Sequence, residues 1–440
     1  MLKNKNLNNF KKKIFNKRAK ISIMGLGYVG LPLALSFAKS GYYVHGYDVD
    51  KFKIQSIKKG NSYISSVTNY YLAKYKKKFK SSSNINHVKN SDIIVICVPT
   101  PINEKKLPIL SHVKDVMDKL STIEIKDKLV IFECTSYPGT TEEYFLPFVK
   151  KKRLKIGSDI FLGYSPERED PGNKKFSLEK KNIPKIVSGY TTDCLSLTQL
   201  LYSKISNTIS VENIKTAEFT KLLENIYRTV NIGLINELKK VSDKMNINIF
   251  DAVNAAKTKP FGYQPFYPGP GVGGHCIPVD PFFLTWKAKK LGIDTKFIKL
   301  SGQINDERPK LITKKLNRYL IKNKKFKNIS CLVIGIAYKK NCDDLRLSPA
   351  LKIIDILNKS KKYKINILDD EISKKAKSNF NKFKFITKKQ LNKKTLGKYD
   401  FCLIVTDHSN VNYEIIRKYS KMIFDTRNVY KKKYKNVSLI

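Results

Sequence analysis

The stretch Lys20-Ile-Ser-Ile-Met-Gly25-Leu-Gly27-Tyr-Val-Gly30-Leu-Pro-Leu-Ala34 decides the fold. Lys20 to Met24 reads as a short apolar strand. It runs into three glycines at Gly-x-Gly-x-x-Gly spacing, and a helix is expected from there to about Ser40. A second apolar run, Tyr42 to Tyr47, ends at Asp48. Strand, glycine turn, helix, strand and terminal acid in this order form a dinucleotide-binding fingerprint. The glycines allow the tight turn, the close approach of a pyrophosphate and the packing of helix on strand, and the helix N-terminus receives the phosphates. Gly25, Gly27 and Gly30, with Tyr28 and Val29 between them, are therefore the expected cofactor contacts. Asp48 lies where an acid binds the ribose hydroxyls and repels a 2′-phosphate, which selects NAD over NADP.

Residues 21–38 also imitate a signal peptide or a membrane span, being apolar between a basic arm and Lys39. The glycines and proline at fixed offsets argue for the strand, turn and helix instead. No other stretch approaches membrane length, so a soluble cytoplasmic protein is expected. Residues 1–19 are Lys/Asn-rich and read as a basic, mostly disordered arm with at most a short helix.

Downstream, buried strands keep ending in ligand-type loops. Ser91 to Val98 leads into Pro99-Thr100-Pro101, and Leu129 to Glu133 into Cys134-Thr135. Ligands sit at the carboxyl ends of strands in open α/β sheets, so Thr100 and Thr135, with Pro99 beside them, are candidate contacts. Phe161 to Tyr164 is followed by Ser-Pro-Glu167-Arg168, which on its own reads as a surface ion pair. From Asn213 to Met245 the pattern is helical. Glu218, Lys221 and Asn225 share one face at spacings of three and four, a pattern that is usually solvated. A second α/β pattern begins near Phe326, with apolar runs at 329–338, 363–369, 399–406 and 422–425 but no Gly-x-Gly-x-x-Gly turn. A nucleotide-like ligand would be held there by cations such as Lys339, Arg346 and Arg427.

The stretch Phe266-Tyr-Pro-Gly-Pro-Gly-Val-Gly-Gly-His-Cys-Ile-Pro-Val-Asp-Pro281 cannot be helix or ladder, because prolines and glycines deny it both. It carries Cys276 with Asp280 four residues on. A thiol on a glycine loop with a carboxylate near it reads either as an activated nucleophile with a partner acid or as a structural cysteine.

The chain has 440 residues, a net charge of +48 and seven cysteines without Cys-x-x-Cys spacing. Length predicts about three domains. The cysteine pattern excludes a zinc ribbon and a disulfide framework, and no metal site is expected. The charge is mostly lysine spread along the whole chain, whereas a nucleic-acid binder clusters its charge and favours arginine. A nucleic-acid partner is therefore not expected, although an anionic substrate would be attracted.

Six co-ordered motifs now resemble the UDP-glucose/GDP-mannose dehydrogenase family: GLGYVGLPLA at 25–34, CVPTP at 97–101, YSPER at 164–168, EFTKLLEN at 218–225, PGPGVGGHCIPVDP at 268–281 and GIAYKKNCDDLRLSPA at 335–350. The expected fold class is α/β, with two doubly wound, Rossmann-like parallel-sheet domains joined by a central helical region. The expected divisions are an arm at 1–19, an NAD-binding domain at 20–210, a helical dimerisation region with the cysteine loop at 211–305, and a UDP-sugar-binding domain at 306–440. The resemblance implies oxidation of a sugar C6 alcohol to a carboxylate with two NAD+ reduced per substrate. It makes Cys276 the covalent nucleophile, Lys221 the cation at developing oxyanions, and Asn225, Asp280, Thr135 and Glu167 the residues that position and activate the hydrolytic water. It further implies that Tyr267, Gly271, Gly273, Gly274 and Lys339 hold the UDP-sugar, that Arg346 reaches the cofactor and that Arg427 contacts the nucleotide. A homodimer or larger homo-oligomer follows from the same resemblance.

Two departures bear on substrate. The UDP-glucose branch has Pro-Glu-Phe-Leu-Ala-Glu-Gly where this chain has Pro166-Glu-Arg-Glu-Asp-Pro-Gly172, so that branch's second glutamate has no counterpart, Glu169 included. His275 also replaces the small residue which that branch places before the cysteine. Both resemble the branch acting on UDP-N-acetylhexosamines, with Arg168 as a substrate contact. The expectation is therefore UDP-N-acetylglucosamine 6-dehydrogenase activity for polysaccharide or O-antigen synthesis. The mannosamine, galactosamine and glucose substrates are alternatives, and a non-catalytic nucleotide- or nucleic-acid-binding protein is a remote one.

Overall fold

The computed structural model describes residues 2–64, 66–169, 182–323 and 328–440. Asp170, Pro171 and Gly172 of the stretch used above to separate substrate branches lie outside the described residues. The chain forms two compact units. One comprises the residues up to Glu224 together with Phe282–Ile293, and the other comprises Asn225–Pro281 and Asp294–Ile440. The segment expected as a central region is thus shared between them, and the helix Ile214–Lys244 runs through the boundary.

The first unit is built on eight strands: β1 (Lys20–Met24), β2 (Tyr43–Tyr47), β3 (Phe79–Ser82), β4 (Ile93–Ile96), β5 (Leu129–Phe132), β6 (Phe161–Tyr164), β7 (Lys185–Gly189) and β8 (Thr208–Ser210). Their order is β3-β2-β1-β4-β5-β6-β7-β8. The chain reverses its winding between β1 and β4, which opens a crevice at their carboxyl ends. Ile21, Ile23, Val95 and Ile131 bury one face of the sheet, while Met24, Ile94, Ile96 and Val130 bury the other. Coverage of both faces explains why these strands are continuously apolar rather than alternating. One junction departs from the parallel pattern. β7 runs antiparallel to β6, with Gly163 opposite Gly189 and Tyr164 opposite Ser188.

The N-terminal arm corrects an expectation. Leu2–Phe15 is a helix, and Leu7, Phe10 and Ile14 are buried in the first core cluster. The Tyr42 hydroxyl donates to the Ile14 carbonyl at 2.7 Å, and Lys13 pairs with Asp92 at 2.8 Å. The three apolar side chains stand at spacings of three and four, one helical stripe, within a Lys/Asn background that hides it.

The second unit carries β9 (Ile329–Ile334), β10 (Tyr363–Leu368), β11 (Lys384–Ile386), β12 (Phe401–Ile404), β13 (Ile423–Asp425) and β14 (Val437–Leu439). The order β11-β10-β9-β12-β13-β14 is parallel throughout, with its reversal between β9 and β12. Among the described residues, no helix is long and apolar enough to cross a membrane.

Candidate active site

In the first unit the fingerprint forms as its residues dictate. Gly25 adopts φ +97°, and a Cβ there would stand 2.7 Å from the Cys97 carbonyl oxygen of the strand beside it. A Cβ on Gly30 would lie 1.8 Å from the Gly25 oxygen, so only glycine closes the turn onto the helix Gly30–Lys39. Gly27 differs, since nothing lies within 4 Å of where its Cβ would be. That space, in front of a helix N-terminus with no side-chain cap, is the cradle a pyrophosphate needs. Asp48 is buried at the end of β2, and its carboxylate accepts from Leu26 N at 2.8 Å, Asp50 N at 2.9 Å and Lys53 Nζ at 2.9 Å. It fixes the glycine turn. At the other side of the crevice, the buried Thr100 hydroxyl donates to the Thr135 carbonyl, tying the loops after β4 and β5 together. Pro99 is exposed beside it, and Tyr28, Val29 and Thr135 are half-buried. These residues fit a bound NAD, whose phosphates would meet the Gly27 backbone and the helix N-terminus.

The charged face of the helix Ile214–Lys244 is not solvated. Glu218 is 1% exposed, Lys221 7% and Asn225 4%. Glu218 accepts from Gly139 N at 2.5 Å, Thr141 N at 2.9 Å and the Thr141 hydroxyl at 2.7 Å, so it caps the helix Thr140–Lys151 from another element. Burial pushes its pKa up to about 7 despite those donors. Sequence spacing reported the shared face but not that a second helix lay over it.

The side chains of Glu167 and Arg168 do not pair with each other. The Glu167 Oε1 accepts from Arg168 N and Glu169 N, both at 2.6 Å, and Oε2 from Lys185 Nζ at 3.2 Å. The Arg168 guanidinium turns to Glu224 (Nε 2.9 Å, Nη2 2.5 Å) and donates to the Pro184 carbonyl at 2.7 Å. Burial disfavours the Glu167 charge, but Lys185, the Glu169 N–H and Lys221 together hold its pKa below the usual carboxylate range. Lys185, Glu133 and Tyr202, which complete this cluster, were not singled out in the sequence. A lone lysine opening a strand carries no local signal.

The second unit holds the cysteine loop. Cys276 is exposed, whereas the other six cysteines are buried. Its carbonyl accepts from Val279 N at 3.0 Å and Asp280 N at 2.8 Å, which starts the helix Asp280–Lys290. Asp280 is 1% exposed, and its Oδ2 accepts from the Asn225 Nδ2 at 2.6 Å. One turn further along the long helix, the Thr229 hydroxyl meets the Ile277 carbonyl at 3.1 Å. The Asn236 side chain accepts from Gly269 N at 3.0 Å and donates to Asn305, while Arg308 Nε donates to the Gly269 carbonyl at 2.9 Å. A loop without secondary structure is thus held at its start, middle and end by buried polar side chains.

Its glycines serve packing. A Cβ at Gly273 would meet the Tyr338 Cβ at 2.7 Å, and one at Gly274, where φ is +86°, would meet the Tyr338 ring at 2.8 Å. Gly271, at φ +127°, stands against the Asn305 carbonyl and Pro349. Gly274 N also donates to the Arg346 carbonyl at 2.9 Å. The Arg346 guanidinium is engaged by Asp344 through three contacts of 2.7–3.0 Å. The Arg427 Nε donates to the Val405 carbonyl at 2.7 Å, and Lys339 is half-buried in the loop after β9. The Tyr267 hydroxyl donates to Asn254 at 2.8 Å, with its ring stacked on Phe250.

The second sheet has its own version of the fingerprint turn. Gly335, after β9, adopts φ +77°, and a Cβ there would stand 2.2 Å from the Thr406 carbonyl oxygen after β12. Asp369, after β10, accepts from Ile336 N at 2.7 Å and Ala337 N at 3.1 Å, as Asp48 does from Leu26. The buried His408 adds a contact of 3.2 Å. Among the described residues, no group of three or more His, Cys, Asp or Glu could hold a metal ion.

Comparison with known proteins agrees with this geometry. The NAD-binding, central and UDP-binding domains of one family match residues 19–206, 215–307 and 332–432. A curated relative, Protein CapL of Staphylococcus aureus, is 34% identical over 95% of this chain and 98% of its own length. The chain belongs to the UDP-glucose/GDP-mannose dehydrogenase family. It is an NAD-dependent nucleotide-sugar dehydrogenase. A UDP-N-acetyl-D-glucosamine 6-dehydrogenase of Salmonella typhi is 38% identical over 80% of this chain and 82% of its own. The structure of a UDP-D-ManNAc dehydrogenase from Pyrococcus horikoshii superposes with a TM-score of 0.84 at 32% identity, covering 95% of this chain and 97% of that one.

Proposed function

We propose that the protein oxidises the C6 alcohol of a UDP-N-acetylhexosamine, UDP-N-acetylglucosamine foremost, to the uronic acid in two successive two-electron steps. The observation that carries this reading is the exposed Cys276 on a loop fastened to the buried Asn225–Asp280 pair. Two NAD+ molecules, bound one after the other, would each accept one hydride. The first oxidation leaves a C6 aldehyde, which cannot give up a second hydride until a nucleophile adds to it. The Cys276 thiolate forms that bond, and the carbonyl oxygen takes up the charge as an alkoxide. Lys221 offers its ammonium to that oxygen. Loss of hydride from the thiohemiacetal carbon leaves a thioester on Cys276. Water then adds to the acyl carbon, the C–S bond breaks, and the carboxylic acid and thiol are released. Asn225 and Thr135 hold that water, Asp280 helps to activate it, and Glu167 accepts its proton as it adds. Lys339, Tyr267 and Gly271 to Gly274 hold the UDP-sugar, Arg427 its nucleotide, and Arg346 the cofactor.

The lack of a counterpart to the UDP-glucose branch's second glutamate, whose place Glu169 does not fill, and His275 before the nucleophile support an N-acetylhexosamine over glucose. The relatives named for glucosamine and mannosamine substrates agree with that class. The face of the helix Ile214–Lys244 carrying exposed Phe219, Leu223, Tyr227, Leu234, Leu238 and Val241 supports a homodimer. A cytoplasmic role in supplying surface polysaccharide, including O-antigen, fits a nucleotide-activated uronic acid. Measuring kcat/KM for UDP-linked N-acetylglucosamine, N-acetylmannosamine, N-acetylgalactosamine and glucose tests the assignment. A preference for glucose would overturn it.

A further inference from the structure

The antiparallel junction between β6 and β7 in the first sheet has a chemical consequence. In a parallel sheet every strand presents its last residues at the ligand edge. Because β7 runs against β6, it presents its first residue there, and that residue is Lys185. Its side chain is 1% exposed and lies between two carboxylates, Glu133 just after β5 at 3.1 Å and Glu167 just after β6 at 3.2 Å. The Pro166 carbonyl is a third acceptor at 3.4 Å. An ammonium has three N–H groups, and here each has an oxygen. Lys185 therefore has neither a spare proton nor the exposure to meet a substrate.

The two carboxylates are not equivalent. Glu133 is 3% exposed, receives the Tyr202 hydroxyl on Oε1, and has no hydrogen-bond partner on Oε2. Burial pushes its pKa up, partly against Lys185. Glu167 has a 14% exposed side chain, with two backbone N–H groups on Oε1 and, among the described residues, the lysine on Oε2. Burial opposes the Lys185 charge as well, yet Glu133 and Glu167 together raise its pKa. The lysine is thus shared between a fully buried carboxylate and one that reaches the surface.

We propose that Lys185 is a positioning residue that fixes the orientation and ionised state of Glu167, with the Glu133–Tyr202 pair anchoring the lysine from behind. Its importance to turnover rests on the reading that Glu167 serves thioester hydrolysis. A buried ion pair with a purely structural role would also destabilise the protein when broken, so stability alone does not decide the matter. Among the described residues, the charged or titratable groups around Glu167 are Arg168 and Glu169 in its own loop, Lys185 on β7, Glu133 after β5, Lys221 on the long helix, Tyr202 at the end of the helix Thr192–Tyr202, and Cys97 after β4.

The test is the Glu167 titration, followed by carbon-13 NMR in substrate-free, glutamate-labelled protein and assigned with Glu167→Gln. Lys185→Met should move the midpoint to higher pH, and Lys185→Arg should hold it near the wild-type value. Glu133→Gln leaves the lysine a single carboxylate and should move the midpoint to lower pH. In turnover, Lys185→Met should lower kcat at neutral pH by on the order of 10²-fold, with the loss recovered as pH rises, and Lys185→Arg should restore most of it. An unmoved midpoint in Lys185→Met overturns the proposal. Should that variant fail to fold, an unmoved or raised midpoint in Glu133→Gln overturns it. A wild-type protein that makes no NADH from any UDP-sugar refutes the functional reading instead, and the NMR titration still decides the role of Lys185.

Discussion

Gly27→Ala and Gly30→Ala add the same methyl group three residues apart, and their consequences should separate completely. At Gly30 the new Cβ would fall 1.8 Å from the Gly25 oxygen, a backbone atom with nowhere to go. The turn must open or the helix Gly30–Lys39 must lift from β1. Overpacking of side chains costs about 1–3 kcal/mol, and a clash with backbone lies at or above the top of that range. At Gly27 nothing lies within 4 Å, and φ is not in the left-handed region. Alanine there reduces the freedom of the unfolded chain and stabilises by about 0.4–1 kcal/mol. The methyl group does occupy the space left for the pyrophosphate. Loss of a charge-assisted hydrogen bond costs about 1.5–3 kcal/mol, equivalent to roughly a 10- to 150-fold weaker NAD Kd. Thermal unfolding and calorimetric NAD titration on both variants provide the comparison. Gly27→Ala should melt at or above the wild-type temperature and bind NAD poorly, while Gly30→Ala should melt well below it. Wild-type NAD affinity in a folded Gly27→Ala protein would refute this placement of the cofactor.

Cys276→Ser should abolish uronic acid formation while leaving the Kd values for NAD and UDP-sugar within about threefold, because the thiol is exposed and serine is nearly isosteric with cysteine. Asn225→Ala leaves the 1% exposed Asp280 carboxylate without its amide donor and should cost about 1–3 kcal/mol of stability, read from denaturant unfolding. The raised Glu218 pKa gives a pH prediction with a definite sign. Its folded value near 7 exceeds the ordinary glutamate value, so the stability it contributes is present in full at low pH and is lost as pH rises from about 4.5 through 7. The change should be about 3 kcal/mol, and Glu218→Gln should flatten that part of the stability profile. Leu234→Glu should convert the proposed dimer to monomer by light scattering without lowering NAD affinity, since Leu234 is 53% exposed.

Much of this was legible in the chain because it was written locally. The glycine spacing, the strand before it and Asp48 after it define one turn with one physical solution, and the first sheet is ordered around it. Cys276 and Asp280 stood out because a loop rich in proline and glycine is neither helix nor ladder, and the family resemblance chose the nucleophile over a structural cysteine. What the sequence concealed was long-range. The burial of Glu218 depends on the helix Thr140–Lys151, whose N-terminus lies some 80 residues earlier and has no side-chain cap of its own. The partnership of Lys185 with Glu133 and Glu167 depends on a strand reversal that no residue of β7 announces. The short strands β3, β8, β11 and β14 have three or four residues each, too few for a period to show. Composition misled once. The Lys/Asn background of the N-terminus concealed the stripe Leu7, Phe10 and Ile14, which docks that helix into the core. The glycines of the cysteine loop were legible as close approach, but what approaches Gly273 and Gly274 is Tyr338 of the same unit.

The claim that most needs testing is that one thiol carries the sugar through both oxidations. Limiting UDP-N-acetylglucosamine, excess NAD+ and catalytic protein, with absorbance at 340 nm and the products quantified by mass, measure it directly. Two NADH per sugar consumed, with the UDP-linked uronic acid as the sole product, is the predicted result, and Cys276→Ser should give no acid. One NADH per sugar with a released aldehyde, or wild-type acid production by Cys276→Ser, would contradict it.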